Sequence, residues 1–180
     1  SIIYNARKHN LKLILLWFGS WKNSMSCYVP SWVKINQNRF PRAINKEGKS
    51  MEMLSVFSDE NRNIDAKAFA SLMSHIHKID SKENTIIMIQ VENEIGMIPN
   101  AREFTYEANK KYSENVPNEL INYLEKNKES LSPELFNLWK NNGFKKSGSW
   151  EEVFGKNIYT EEIFMAWFFA RYVDFVTKAG

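Results

Sequence analysis

A single cysteine, Cys27, leaves the chain unable to form an internal disulfide, and with no accompanying Cys/His arrangement it reads as a small buried residue. Glycine is scarce, and its seven residues are scattered, with no GxGxxG or GxxxxGK pattern, which excludes the usual phosphate-cradling loops. Long hydrophobic runs are missing. The longest, Leu13 to Phe18 and Ile163 to Ala170, fall far short of the roughly 20 residues of a membrane span, so no membrane-spanning helix is expected. Charge of one sign is lacking too: 24 Lys+Arg stand against 21 Asp+Glu, and no run of five or six like charges occurs. A nucleic-acid or polyanion partner is therefore not expected. Histidine is rare, and His75 and His77, two residues apart on a predicted helix, point to nearly opposite sides, unlike the i, i+4 pair of a helical zinc site; no metal is expected.

What is present describes one domain, 180 residues with 43% hydrophobic content, long enough to bury a core. Ile2 to Asn10 reads as the last turns of a helix, closed by Asn10 in the left-handed conformation that asparagine tolerates. Leu11 to Trp17 (LKLILLW) is almost continuously apolar, which predicts a strand buried on both faces, as parallel strands between helix layers are. Phe18 to Asn63, with Pro30, Pro41, two glycines and many polar residues, reads as a long loop with a short helical turn around Ser31 to Ile35. Loops of this length tend to be functional.

Phe69, Leu72, Met73, Ile76 and Ile79 fall on one face of a helix between Asn63 and Asp80. Thr85 to Val91 (TIIMIQV) is a second strand, and strand, helix, strand makes a βαβ unit. Beyond Gly96, Pro117 opens a helix running to about Lys128, and Ser132-Pro133 and Gly143 bracket another over Glu134 to Asn142. Ser149 and Glu152 have capping-box spacing. Thr160 is expected to cap a final helix, with Ile163, Phe164, Trp167, Phe168, Tyr172, Phe175 and Val176 apolar, packed on the outside of the sheet. The chain starts at Ser1 without a Met and stops just after this helix, and so reads as a piece of a longer protein.

The most informative residues are Gln90-Val91-Glu92-Asn93-Glu94-Ile95-Gly96, at the carboxyl end of the second strand. In α/β proteins that end faces the ligand. Alternation would put Glu92 and Glu94 on one face and Asn93 on the other, unless a bulge intervenes. A merely solvated strand end is the plainer alternative.

Ile89 to Gly96 resembles the Gln-Val/Ile-Glu-Asn-Glu-Tyr-Gly signature of the family 35 glycoside hydrolases, with Ile95 where an aromatic residue is usual. Leu11 to Trp17, followed by an aromatic loop ending Pro30-Ser31-Trp32-Val33, resembles the third strand and Pro-X-Trp-Leu turn of that β-galactosidase family. The likeness covers Ile2 to Gly96, loosens from Met97 to Asn157 and returns with the last helix. It implies an α/β fold, a partial TIM (β/α)8 barrel holding about two parallel strands with flanking helices. Residues 1–180 would be part of the catalytic domain, with 97–157 an enlarged helical loop after strand four. It also favours an extracytoplasmic or periplasmic location.

The resemblance implies a retaining hydrolase of terminal β-D-galactosides. Such an enzyme needs two carboxyl groups about 5 to 5.5 Å apart, a nucleophile and an acid/base. By carry-over, Glu94 is the acid/base and Asn93 bonds the sugar's 2-hydroxyl, while the nucleophile, from the seventh strand, is expected beyond Gly180. Glu92 is not assigned as nucleophile, because residues two apart on a strand lie about 6 to 7 Å apart and point the same way. Trp17, Trp21, Tyr28 and Trp32 cluster around the first loop and could offer flat faces to a sugar; Trp21, Lys22 and Asn23 are the candidate substrate contacts, while Trp139, Trp150 and Trp167 are expected in the core. No cofactor is implied. The expected partners are a carbohydrate substrate and the remaining barrel, with self-association as a way to cover apolar faces. The other readings are a noncatalytic carbohydrate-binding module and a clan relative acting on another β-glycoside.

Overall fold

A computed structural model describes residues 1–180 as a mixed α/β structure with two parallel strands and flanking helices. Helix α1 (Ile2–Lys8) ends at His9, and Asn10, at φ 54°, turns the chain into β1 (Leu13–Trp17). A short helix α2 (Ser31–Lys34) follows, and then a hairpin of β2 (Arg42–Ile44) and β3 (Ser50–Leu54). The hairpin lies inside the segment expected to be a loop. Its strands are too short to show alternation, and its turn rests on Gly48 at φ 76°, whose N–H donates to the carbonyl of Asn45.

Helix α3 (Asp59–Asp80) begins four residues before the expected Asn63, because Ser58 caps it: the hydroxyl accepts from the Asn61 N–H at 3.2 Å. Buried Asn61 in turn donates to the carbonyls of Pro41 and Ser55, fastening α3 to the hairpin. Strand β4 (Ile86–Val91) then pairs parallel with β1, Leu15 opposite Ile89 and Trp17 opposite Val91. The predicted βαβ unit is therefore present. At its amino-terminal end Arg7 pairs with buried Asp80 at 2.7 Å and donates to Thr85 Oγ1, while the second oxygen of Asp80 accepts from the Ile86 N–H. One carboxylate thus joins α1, α3 and β4.

Four helices occupy residues 106–154: α4 (Tyr106–Ser113), α5 (Asn118–Lys126), α6 (Pro133–Asn141) and α7 (Trp150–Phe154), with a 3₁₀ turn at Lys128–Ser130. Both hydrogen bonds of the expected capping box at Ser149 and Glu152 are made. Helix α4, capped by Thr105, was not among the helices the sequence delimits, since its face is largely polar. The segment before it is anchored by Arg102, whose guanidinium lies 3.9 Å from the Phe104 ring centre and 4.4 Å from that of Tyr112. The final helix, α8 (Ile158–Ala179), starts two residues before Thr160. Asn157 is the cap, its side chain accepting from the Thr160 N–H, while the Thr160 hydroxyl donates to the carbonyl of Gly155.

Helix α8 packs along α3 and against β4. The core lies between these elements and the helices of 106–154. Phe164 is its centre, completely buried and touching the rings of Phe57, Tyr112, Trp150 and Phe168. Trp139 and Trp150 are fully buried and Trp167 packs against this core, as expected. Cys27 is buried, and no helix is long and apolar enough to cross a membrane.

The expectation that the first strand is buried on both faces is not met. Side chains of β1 alternate, with Ile14 and Leu16 about half exposed, and Ile87 and Met88 of β4 are equally open. Helices cover one face of the two-stranded sheet, and nothing in the chain covers the other. Truncating the central Phe164 to alanine should cost about 3–5 kcal/mol, whereas Ile14→Ser on the open face should stay within about 0.5 kcal/mol. Urea unfolding of the two variants checks the contrast.

Candidate functional site

The carboxyl ends of β1 and β4 meet around the chain Gly19-Ser20-Trp21-Lys22. At the end of β4 the backbone leaves extended geometry: Glu92 has φ 62° and Glu94 φ 44°, both left-handed. This breaks the alternation that would have put the two glutamates on one face. Glu92 is buried, Asn93 partly buried and Glu94 exposed.

The Glu92 carboxyl turns into the protein, where Oε1 accepts from the Ser20 N–H at 3.0 Å and Oε2 from the Trp21 N–H at 2.8 Å. Asp65 of α3 reaches the same place from the other side. Its Oδ2 accepts from the same Ser20 N–H at 3.1 Å and from the Ser20 hydroxyl at 2.8 Å, and its Oδ1 accepts from the Trp17 indole at 2.9 Å. The Tyr172 hydroxyl of α8 completes the cluster, 2.6 Å from Ser20 Oγ.

Two carboxyl groups that share one N–H in a buried place cannot both be charged. Burial, and next the hydrogen bond to Asp65 and its charge, push the Glu92 carboxyl up to about 10, so that Glu92 carries a proton at neutral pH. Burial and the Asp65 charge also hold the Tyr172 hydroxyl well above its ordinary value. Gly19 is required at this junction: a Cβ there would fall 2.5 Å from Glu92 Oε1 and 2.6 Å from Asp65 Oδ2.

The candidate site residues lie on the outer side of this cluster. Asn93 is held at both ends of its amide: Nδ2 donates to the Lys22 carbonyl at 2.8 Å, and Oδ1 accepts from Gln90 Nε2 at 2.7 Å. Glu94 stands next to it with its carboxyl in solvent, and its main-chain carbonyl accepts from Ser24 Oγ at 2.8 Å. Lys22 is partly exposed beside Asn93. Asn23 uses its side-chain oxygen to accept from the Met25 N–H and the Ser26 hydroxyl, which shapes the turn. The structure therefore brings Glu94, Asn93, Lys22 and Asn23 to one end of the sheet.

Trp21 does not join them. It is completely buried, edge-on to Phe169 and Tyr172 at 5.7 and 5.0 Å, so its ring has no face for a substrate. The Trp21 N–H bond to Glu92 directs the side chain inward, against α8. Of the other aromatic residues of the first loop, Tyr28 and Trp32 are exposed and, with Phe18 and Val33, line a pocket of about 260 Å³ that reaches Asp65. His75 and His77 are both exposed on α3.

Sequence reasoning considered Glu92 only as a possible nucleophile and missed Asp65 altogether. Asp65 is one turn before Phe69 on the apolar face of α3, so a carboxylate on a buried helix face was the available signal. No protein-family model matches the chain, and no curated protein matches it.

The raised Glu92 carboxyl has a consequence for stability. The folded chain holds a proton that the unfolded chain releases near pH 4.5, so this contribution is complete below that pH and is lost as pH rises to about 10. Buried Glu103, pushed up to about 7 by burial, adds a similar loss that ends near neutrality. Stability should fall with pH from 4.5, at a limiting slope of about 1.4 kcal/mol per pH unit for each proton. Glu92→Gln should remove the slope above about pH 7 and reduce it below, whereas Glu103→Gln should reduce only the slope below about pH 7, as read by urea unfolding across pH. Gly19→Ala should destabilise at every pH, by about 1–3 kcal/mol, because the carboxyl pair has no room to retreat.

Proposed function

We propose that this chain forms part of a retaining glycoside hydrolase acting on terminal β-galactosides, with Glu94 as general acid/base. The observation that carries the reading is the divergence of the two glutamates around Asn93. Glu92 is used up in the interior, while Glu94 is presented freely at the carboxyl end of a parallel strand, next to an amide held in a fixed orientation. Proton delivery to a leaving oxygen needs a carboxyl open to substrate. The adjacent Asn93 has a second amide hydrogen with which to bond the sugar's 2-hydroxyl, an interaction that strengthens as positive charge develops on the ring.

The open apolar sheet face, with Ile14, Leu16 and Met88, is consistent with two strands of a (β/α)8 barrel, whose interior is lined by such residues from neighbouring strands. Residues 97–157 would then be the enlarged loop after strand four. The nucleophile comes from a different strand, since Glu92 and Asp65 both face inward. This 180-residue polypeptide alone should accordingly show no hydrolysis of aryl galactosides.

In the catalytically complete protein, Glu94→Gln should slow natural galactosides by about 10²–10⁴-fold. Aryl galactosides with good leaving groups should still form the covalent intermediate and then stall, as a burst assay would reveal. Equal loss of the bond-breaking step on both substrates would rule out Glu94 as the proton donor. A noncatalytic sugar-binding role draws on the exposed Tyr28 and Trp32, and predicts sugar binding with no turnover by the complete protein. Hydrolysis of another β-glycoside in preference to a galactoside would point to a different member of the clan.

A further inference from the structure

We infer that Glu92 is a positioning residue: its buried carboxyl holds the left-handed turn at the end of β4 through the Ser20 and Trp21 N–H groups, and thereby sets where Asn93 and Glu94 point. This rests on the proposed hydrolase reading for its catalytic meaning, though not for its structural content. A continuing strand would send Glu92 and Glu94 to the same face. Here residues 92 and 94 adopt φ values of 62° and 44°, a region that a glutamate enters only when its surroundings impose it.

The surroundings that impose it are visible. Both Glu92 oxygens are taken by consecutive backbone N–H groups of the β1 loop, and Asp65 and Gly19 close the space behind them. The next residue of that loop, Lys22, supplies the carbonyl that accepts from Asn93 Nδ2 at 2.8 Å. The route from Glu92 to Asn93 therefore runs through two residues of one loop, Trp21 and Lys22, and the Ser24 hydroxyl fastens the Glu94 carbonyl to that loop at 2.8 Å. If Glu92 releases the loop, the acceptor for Asn93 moves with it. The Gln90 side chain holds the other end of the Asn93 amide from within β4 and does not touch the β1 loop.

Two substitutions separate the anchor from the backbone conformation. Glu92→Gly accommodates the left-handed φ without cost but removes the anchor. Glu92→Gln keeps an oxygen for the N–H groups and offers its amide hydrogens to Asp65. In this chain, the reporter is the Asn93 side-chain amide, followed by ¹⁵N-resolved NMR with assignment by Asn93→Ser. The folded wild type should show that amide shifted and slow to exchange, the glycine variant should show it at the position of a free primary amide, and the glutamine variant should restore it.

In the catalytically complete protein, the glycine variant should lose on the order of 10²-fold in kcat with a much smaller change in KM, and glutamine should recover most of that loss. A folded glycine variant that keeps the Asn93 signal overturns the inference, as does a folded glutamine variant that loses it. A glycine variant with the signal lost and kcat unchanged also overturns it. Should the glycine variant not fold, the glutamine variant decides alone. If the wild-type complete protein hydrolyses no glycoside, the hydrolase reading falls, while the spectra still decide whether Glu92 positions Asn93.

Discussion

Two buried carboxyl groups converging on one backbone N–H hold the carboxyl end of the sheet together. Asp65 comes from the middle of α3 and Glu92 from the end of β4, and both accept from the Ser20 N–H at the end of β1. Tyr172 brings in α8 through the Ser20 hydroxyl. Four elements thus meet at a point where there is room for two carboxyl groups but for only one negative charge. The low dielectric that makes an unpaired charge so costly there also strengthens each hydrogen bond that satisfies it. The glycine before Ser20 follows from the same crowding, since any side chain would enter the space the carboxyl oxygens occupy.

That junction separates two tasks that neighbouring acidic residues could otherwise confuse. Glu92 works inward as a neutral acid and Glu94 stands in solvent, and the left-handed backbone at both positions makes them diverge. The opposite end of the sheet is closed by a different device, the ion pair of Arg7 with Asp80, where a cation is at hand and the carboxylate stays charged. With both ends fixed, β1 and β4 keep their register even though one sheet face is uncovered and the pair has no further strands beside it.

Much of the fold was legible in local patterns. The apolar spacing from Phe69 to Ile79 located α3, the strands at Leu13 and Ile86 were clear from their composition, and the Ser149–Glu152 pair marked α7. The β2–β3 hairpin was not, because strands of three and five residues cannot display a period. Helix starts slipped by a few residues at Ser58 and Asn157, where one capping residue stood close to other polar residues able to serve. Trp21 misled for a different reason: a tryptophan in a polar loop looks available for a ligand, and only its packing against Phe169 and Tyr172 removes it.

The sequence by itself determined the βαβ order, the helical stretch after it and the position of Asn93 and Glu94 at a strand end, because hydrophobic period and capping chemistry act over a few residues. Tertiary structure decided which glutamate is buried, which aromatic rings face solvent and which sheet face stays open. Each of these depends on groups brought together from far apart in the chain, Asp65 with Glu92 and Trp21 with Tyr172 above all. Residue type records that a glutamate can be charged or neutral. Whether it is one or the other is set by the water it loses and the carboxylate it meets, and both are properties of the folded chain.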